Sequence, residues 1–259
     1  RKYTIMKLIR ELVKFNNIKY YDKPHKHYID DKELTSVTTF IGGFKEKVDE
    51  EYWSKKKAKE RGITQKEILA EWKNKALTST EKGTAFHEYA ENYLTNRIFP
   101  FPQEQIDNVL GKGNDVKERF DKLVILFEEF YKQSYGRLIP IRAELVVGDK
   151  ELGICGMVDQ LFFNEKSGKL EIWDWKTNKK IDKKNRWQQF KEPISHLDVC
   201  ELNTYSLQLS LYKYIITRNT NIDLGDNYIV WFNEKNDKYF PIKCHDYTQE
   251  IKVMLKTKK

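Results

Sequence analysis

Residues 154–177 decide the fold: ICGMVDQLFF over 154–163, NEKSG over 164–168 and KLEIWDWKT over 169–177. Two apolar runs joined by a short polar turn ending in Ser167-Gly168 read as an antiparallel hairpin. Side chains alternate along a strand, so Asp174 and Lys176 share one face while Trp173 and Trp175 point to the other. Asp159 lies on the neighbouring strand. Two carboxylates on adjacent strands can share one hard, oxygen-seeking cation. Lys176 beside them can orient or activate water, or stabilise charge on a phosphoryl oxygen. An exposed Asp–Lys pair is the plainer alternative. Ile172, Trp173 and Trp175 argue against it, because a carboxylate among such residues is costly unless paired or metal-bound.

Upstream of the hairpin, Leu138–Val147 is β-rich and carries Glu144, and Val116–Tyr131 has helical periodicity with Phe120, Leu123, Leu126, Phe127 and Phe130 on one face. Ser79–Thr84 reads as a helix entry leading into Ala85–Leu94, with Pro100 and Pro102 ending that segment. Asp49–Ala76 is helical and highly charged, with Trp53 and Trp72 at spacings that suit core packing better than base stacking. Further back, Ser36-Val37-Thr38-Thr39 caps a short helix broken by Gly42-Gly43. Tyr20–Leu34 reads as a hairpin turning near Asp30-Asp31, and Ile5–Val13 as a short amphipathic helix. Downstream, residues 198–217 form a helix, Tyr228–Phe232 a last strand, and a charged helix closes the chain. The order implies an α/β fold, read as one domain over residues 1–259, with a largely helical portion at 1–79 and the core at 80–259.

Of 259 residues, 39% are hydrophobic and 14% aromatic, a globular composition rather than a disordered one. The net charge of +8 favours encounter with polyanions, although a solvated lysine-rich surface has the same composition. No apolar run approaches the ~20 residues needed to span a bilayer, and no secretory leader is visible. Cys155, Cys200 and Cys244 are too few and too scattered for a disulfide framework or a four-cysteine cluster, so they read as reduced thiols in a cytoplasmic protein and no iron–sulfur cluster is expected. The chain begins at Arg1; either Met6 is a natural start or the chain is part of something longer.

Glu144, GMVD at 156–159 and WDWKT at 173–177 together resemble the core of the PD-(D/E)xK nucleases, a central mixed sheet flanked by helices. The resemblance is closest to the RecB-like exonuclease branch, which also has a histidine on an upstream helix after a glycine, matched by Gly83-Thr84-Ala85-Phe86-His87, and a QxxxY helix, matched by Gln208–Tyr212. It covers roughly residues 80–232. One departure is that Val158 precedes Asp159 where the motif has proline. The resemblance implies that His87, Asp159, Asp174 and the backbone carbonyl of Trp175 bind Mg²⁺ or Mn²⁺, that Lys176 is the catalytic lysine, and that Glu144 lies near the metal. Gln208 and Tyr212 would position the DNA or the carboxylates. Glu91, one turn after His87, either orients its imidazole or is plain helix surface.

Such a protein hydrolyses phosphodiester bonds in DNA, with single strands or DNA ends as substrate and Lys179 and Lys180 holding the backbone. The family suggests replication, recombination or repair, in a bacterial or phage-infected cytoplasm. An end-requiring mode is also expected if residues 36–131 roof a channel over a site on the sheet edge. The rivals are an endonuclease of the same superfamily, a non-catalytic DNA-binding relative, and a phosphohydrolase for a small substrate. The absence of a Gly-rich phosphate loop weighs against the last.

Overall fold

The computed structural model describes residues 2–21, 26–95 and 114–257; Arg1, His25, Pro100 and Pro102 lie outside them. In chain order the elements are α1 (Lys2–Leu12), a 3₁₀ turn (Val13–Asn17), β1 (Ile18–Tyr21), β2 (Lys26–Ile29), β3 (Lys32–Ser36), α2 (Val37–Gly42), α3 (Glu50–Arg61), α4 (Gln65–Leu94), α5 (Asn114–Ser134), β4 (Leu138–Asp149), β5 (Ile154–Asn164), β6 (Lys169–Lys176), α6 (Glu201–Asn219), β7 (Leu224–Trp231), β8 (Phe240–Lys243) and α7 (Thr248–Lys256).

The decisive hairpin forms as expected, with Gln160 opposite Trp173 and Asn164 opposite Lys169. It belongs to an eight-stranded mixed sheet. One edge of β5 pairs with β4 along its whole length. Its other edge is shared: residues 160–164 pair with β6, and Ile154 and Cys155 pair in parallel with Thr35 and Ser36 of β3. Residues 156–159 fall between these two partners. β6 continues in parallel to β7, and β7 in antiparallel to β8.

The sheet corrects several expectations. Helix predominates in residues 2–79, but β1–β3 among them form a meander that extends the sheet, with the expected turn at Asp30-Asp31. The site strands β5 and β6 are interior, not on a sheet edge. A further strand, β8, was not foreseen. Ser79–Thr84 does not start a helix. It lies inside the 30-residue α4, which begins at Thr64 with a capping box: the Thr64 hydroxyl accepts from Glu67 N–H, and the Glu67 carboxylate accepts from Thr64 N–H. Such a box satisfies two of the orphan N–H groups of a first turn. Ser36 caps α2 as expected, accepting from Thr39 N–H at 3.1 Å.

Helices cover both faces. On one, α1, α2, α6 and α7 bury an aliphatic core with Ile172, Leu161 and Val158. On the other, α4 and α5 pack an aromatic core around Trp173 and Trp175. The Trp175 ring meets Phe127 and Phe130 edge-on, with centroids 5.5 and 5.6 Å away. Pairs of this kind add about 0.5–1.5 kcal/mol each beyond area burial. Anchoring both indoles on the α4/α5 side leaves Asp174 and Lys176 nowhere to go but the opposite face. Trp53 departs from the core reading: it is 43% exposed, with Lys56 Nζ 4.9 Å from the centre of its ring.

Among the described residues, no helix is long and apolar enough to cross a membrane.

Candidate active site

Where β5 and β6 part company, the ladder is completed by a side chain. Asp159 Oδ2 accepts the backbone N–H of Trp175 at 2.7 Å. Asp159 is thereby fixed at the fork. Glu144 comes from β4, between Ala143, which pairs with Gln160, and Leu145, which pairs with Val158. That register sets Glu144 across from Asp159. Its backbone is left-handed, with φ 45°. A non-glycine residue in that region costs on the order of 1–3 kcal/mol, and such strain gathers at functional sites.

The third arm is His87, from the C-terminal third of α4. Its Nε2 lies 3.1 Å from the Trp175 carbonyl oxygen. A donor is needed there, so Nε2 carries the proton and Nδ1 presents a lone pair in the neutral ring. Nδ1 lies 3.5 Å from Asp159 Oδ2 and 3.9 Å from Glu144 Oε1. One ligand atom from each of His87, Glu144 and Asp159 falls within 4.8 Å of the others. Glu144 Oε1 is buried with no hydrogen-bond partner. A buried acceptor left unsatisfied is expensive, and a divalent cation would satisfy it. The donor set of one imidazole and two carboxylates suits such an ion.

Asp174 stands beside this trio rather than in it. It is 1% exposed and forms an ion pair with Lys176 Nζ at 2.5 Å. The Lys176 ammonium also lies over the Tyr205 ring, 4.6 Å from its centroid.

Charge and burial set the protonation of the site. Burial, then Asp159, Glu91 and Asp174, push the Glu144 carboxyl up to about 9. Burial and Asp159 raise Asp174 to about 6 against the opposing pull of Lys176. Burial alone would lower Lys176, but Asp174 and Asp159 outweigh it and hold the group above the usual lysine range. It is therefore an ammonium at neutral pH.

Tyr212 explains the glycine of GMVD. A Cβ on Gly156 would lie 2.3 Å from Tyr212 Cε1, a distance no real contact tolerates. The Tyr212 hydroxyl accepts from Gln208 Nε2 at 2.8 Å, and the residue is 3% exposed. It thus packs against Gly156, three residues before Asp159 on β5, and its burial leaves it little surface for DNA. Gly156→Ala should cost about 1–3 kcal/mol through overpacking and should lower cleavage by shifting β5 at Asp159. Thermal melts and cleavage rates check this, and a variant with unchanged melting would show that Tyr212 yields freely.

A cleft of about 420 Å³ opens onto His87 and Glu144 of the trio, bordered also by Met157 and by Ser79, Thr80, Gly83 and Thr84 of α4. Glu91 borders it too, which favours a place at the site over plain helix surface. Lys179 and Lys180 follow Lys176 on the loop leaving β6. That loop is pinned where Asn233 Nδ2 donates to the carbonyls of Asn178 and Lys179. Lys179 lines a second cleft of about 600 Å³ with Lys75, Lys82 and Arg119, and Lys180 a third beside Tyr205. Tyr205 and Arg119 had no motif to mark them; Tyr205, three residues before Gln208 on α6, was detectable only as a same-face neighbour.

The model of the PD-(D/E)XK nuclease superfamily matches residues 56–250, well over half of the chain. The chain belongs to that superfamily. No curated protein matches it. Membership makes the protein a nuclease of a metal-dependent kind, and the mixed sheet flanked by helices is the fold of that superfamily.

Proposed function

We propose that this PD-(D/E)XK protein is a Mg²⁺- or Mn²⁺-dependent deoxyribonuclease that degrades DNA from an end. The observation that carries the metal site is the convergence of His87 Nδ1, Glu144 and Asp159 around the orphaned Glu144 oxygen. These three would hold the ion, with Asp174 and the second lone pair of the Trp175 carbonyl next to it. When bound, the ion supplies Lewis-acid polarisation of the scissile phosphodiester.

The chain's own groups do the rest. The Trp175 carbonyl fixes the His87 tautomer and ring plane, as outer partners of metal-binding histidines do. Lys176, kept protonated by Asp174, cannot serve as a base; it places a positive charge against the phosphoryl oxygens as charge develops on them. Asp174 holds that ammonium in place. Tyr212 and Gln208 brace the strand that carries Asp159. Lys179 and Lys180 lie where a polyanion passing the site would meet them.

The end-requiring mode rests on the RecB-like resemblance through His87 and the Gln208–Tyr212 helix, supported by the α4 residues that border the cleft beside the site. A covalently closed single-stranded circle and the same sequence linearised, each incubated with Mg²⁺, Mn²⁺ or EDTA, test both halves of the reading. Degradation of the linear form alone, abolished by EDTA, is expected. Equal rates on both forms mean an endonuclease, and no cleavage of either with any metal overturns the nuclease reading.

A further inference from the structure

Six tryptophans are present, and Trp173 and Trp175 are buried; Trp187 is 95% exposed. It does not sit on a loose tail. Its N–H donates to Asn185 Oδ1 at 3.1 Å, and Asn185 is itself clamped, N–H to Asp198 Oδ2 and Nδ2 to the Val199 carbonyl. On the other side, Val199 N–H donates to the Gln188 carbonyl and Phe190 N–H to that of Leu197, with the Phe190 ring in the core. A fixed backbone thus holds a large flat ring in water. Isolated apolar residues on a surface need no explanation, but this one borders a built feature.

Trp187 lines a cleft of about 790 Å³ with Lys45, Lys180, Lys184, Arg186 and Tyr205. Its acidic members are Asp182, paired with Lys180, and Glu201, whose carboxylate accepts Asp182 N–H, so the balance is positive. The Tyr205 wall carries the Lys176 ammonium on its ring. The exposed indole and Tyr205, the residue that touches Lys176, thus line the same cleft, together with Lys45, Lys180, Lys184 and Arg186.

We propose that Trp187 is a stacking platform for an unpaired base of a single DNA strand whose phosphates rest on Lys180, Lys184 and Arg186. Cationic grooves with aromatic platforms are how single strands are held without sequence preference. The proposal rests on the nuclease reading and adds to it a second, base-directed subsite away from the reacting phosphate.

A binding cycle tests it. Oligo-thymidylate and an abasic oligonucleotide of equal length and charge are titrated in EDTA against the wild-type protein, Trp187→Ala and Trp187→Phe. Stacking contributes about 1–3 kcal/mol per base, so the wild-type protein should prefer the base-bearing strand by roughly 5- to 150-fold. Trp187→Ala should lose that preference and Trp187→Phe should keep much of it. A preference that is equal in wild type and Trp187→Ala overturns the platform, even where linear DNA is cleaved normally and the nuclease reading stands. Wild-type protein that neither binds nor cleaves DNA overturns both. Anionic phosphatidylserine vesicles form the last arm: binding that depends on Trp187, without Trp187-dependent DNA binding, would assign the ring to a membrane surface and also overturn the platform.

Discussion

Lys176→Met is expected to lower DNA cleavage by roughly 10²–10³-fold, the usual cost of removing one group that stabilises transition-state charge. It should also destabilise the fold. Asp174 is buried and its ion partner is Lys176. Removing one member of a buried pair costs about 3–5 kcal/mol, because the other charge is left uncompensated. Asp174 can shed part of that cost by taking up a proton, since its carboxyl already sits near 6. The double variant Asp174→Asn/Lys176→Met removes both charges and should recover much of the lost stability while remaining inactive. Melting curves and single-turnover cleavage separate the two effects. Normal cleavage by folded Lys176→Met removes the lysine from the chemistry. A double variant as unstable as the single one removes the ion pair as the cause of destabilisation.

Glu144→Gln is expected to weaken Mn²⁺ binding more than the roughly 10–100-fold lost when only an outer partner of a ligand is removed, and to abolish cleavage with it. The same change should stabilise the metal-free protein. Its Glu144 carboxyl holds a proton up to about pH 9, whereas the ordinary value is 4.5. Between those values the folded chain binds more protons than the unfolded one, so metal-free stability falls as pH rises through that window. Glutamine removes this slope. For the wild-type protein the same proton must leave when an ion binds. Affinity should therefore rise about tenfold per pH unit from 7 toward 9 and flatten above it. Calorimetry in buffers of different ionisation enthalpy reads the released proton directly. An affinity that is flat over this range would mean that Glu144 is not a ligand.

Much of the site could be read in the sequence because it depends on local periodicity. Alternation on β6 placed Asp174 and Lys176 together, and the indoles of Trp173 and Trp175 anchor the other face of the same strand. The hairpin partner brought Asp159 by turn chemistry alone. What was not legible depends on contacts between distant segments. β3 joins β5 through only two parallel residue pairs, 119 positions apart in the chain, and no local pattern announces that. β8 contains Pro241, which argues against a strand until it is seen on an edge, where a missing donor is tolerated. Ser79–Gly83 mimics a cap, but the helix had already begun at Thr64, and a running helix needs no second start. Glu144 was expected only near the metal. It stands with His87 and Asp159 in one cluster, on a left-handed backbone residue, while Asp174 pairs with Lys176 beside them, and no spacing rule encodes either feature.

Diffraction from a crystal soaked in Mn²⁺, with data collected at the manganese absorption edge, tests the central claim most directly. The predicted result is one anomalous peak bound by His87 Nδ1, Glu144 and Asp159, absent in Glu144→Gln. A peak elsewhere, with those three side chains free of metal, would contradict it.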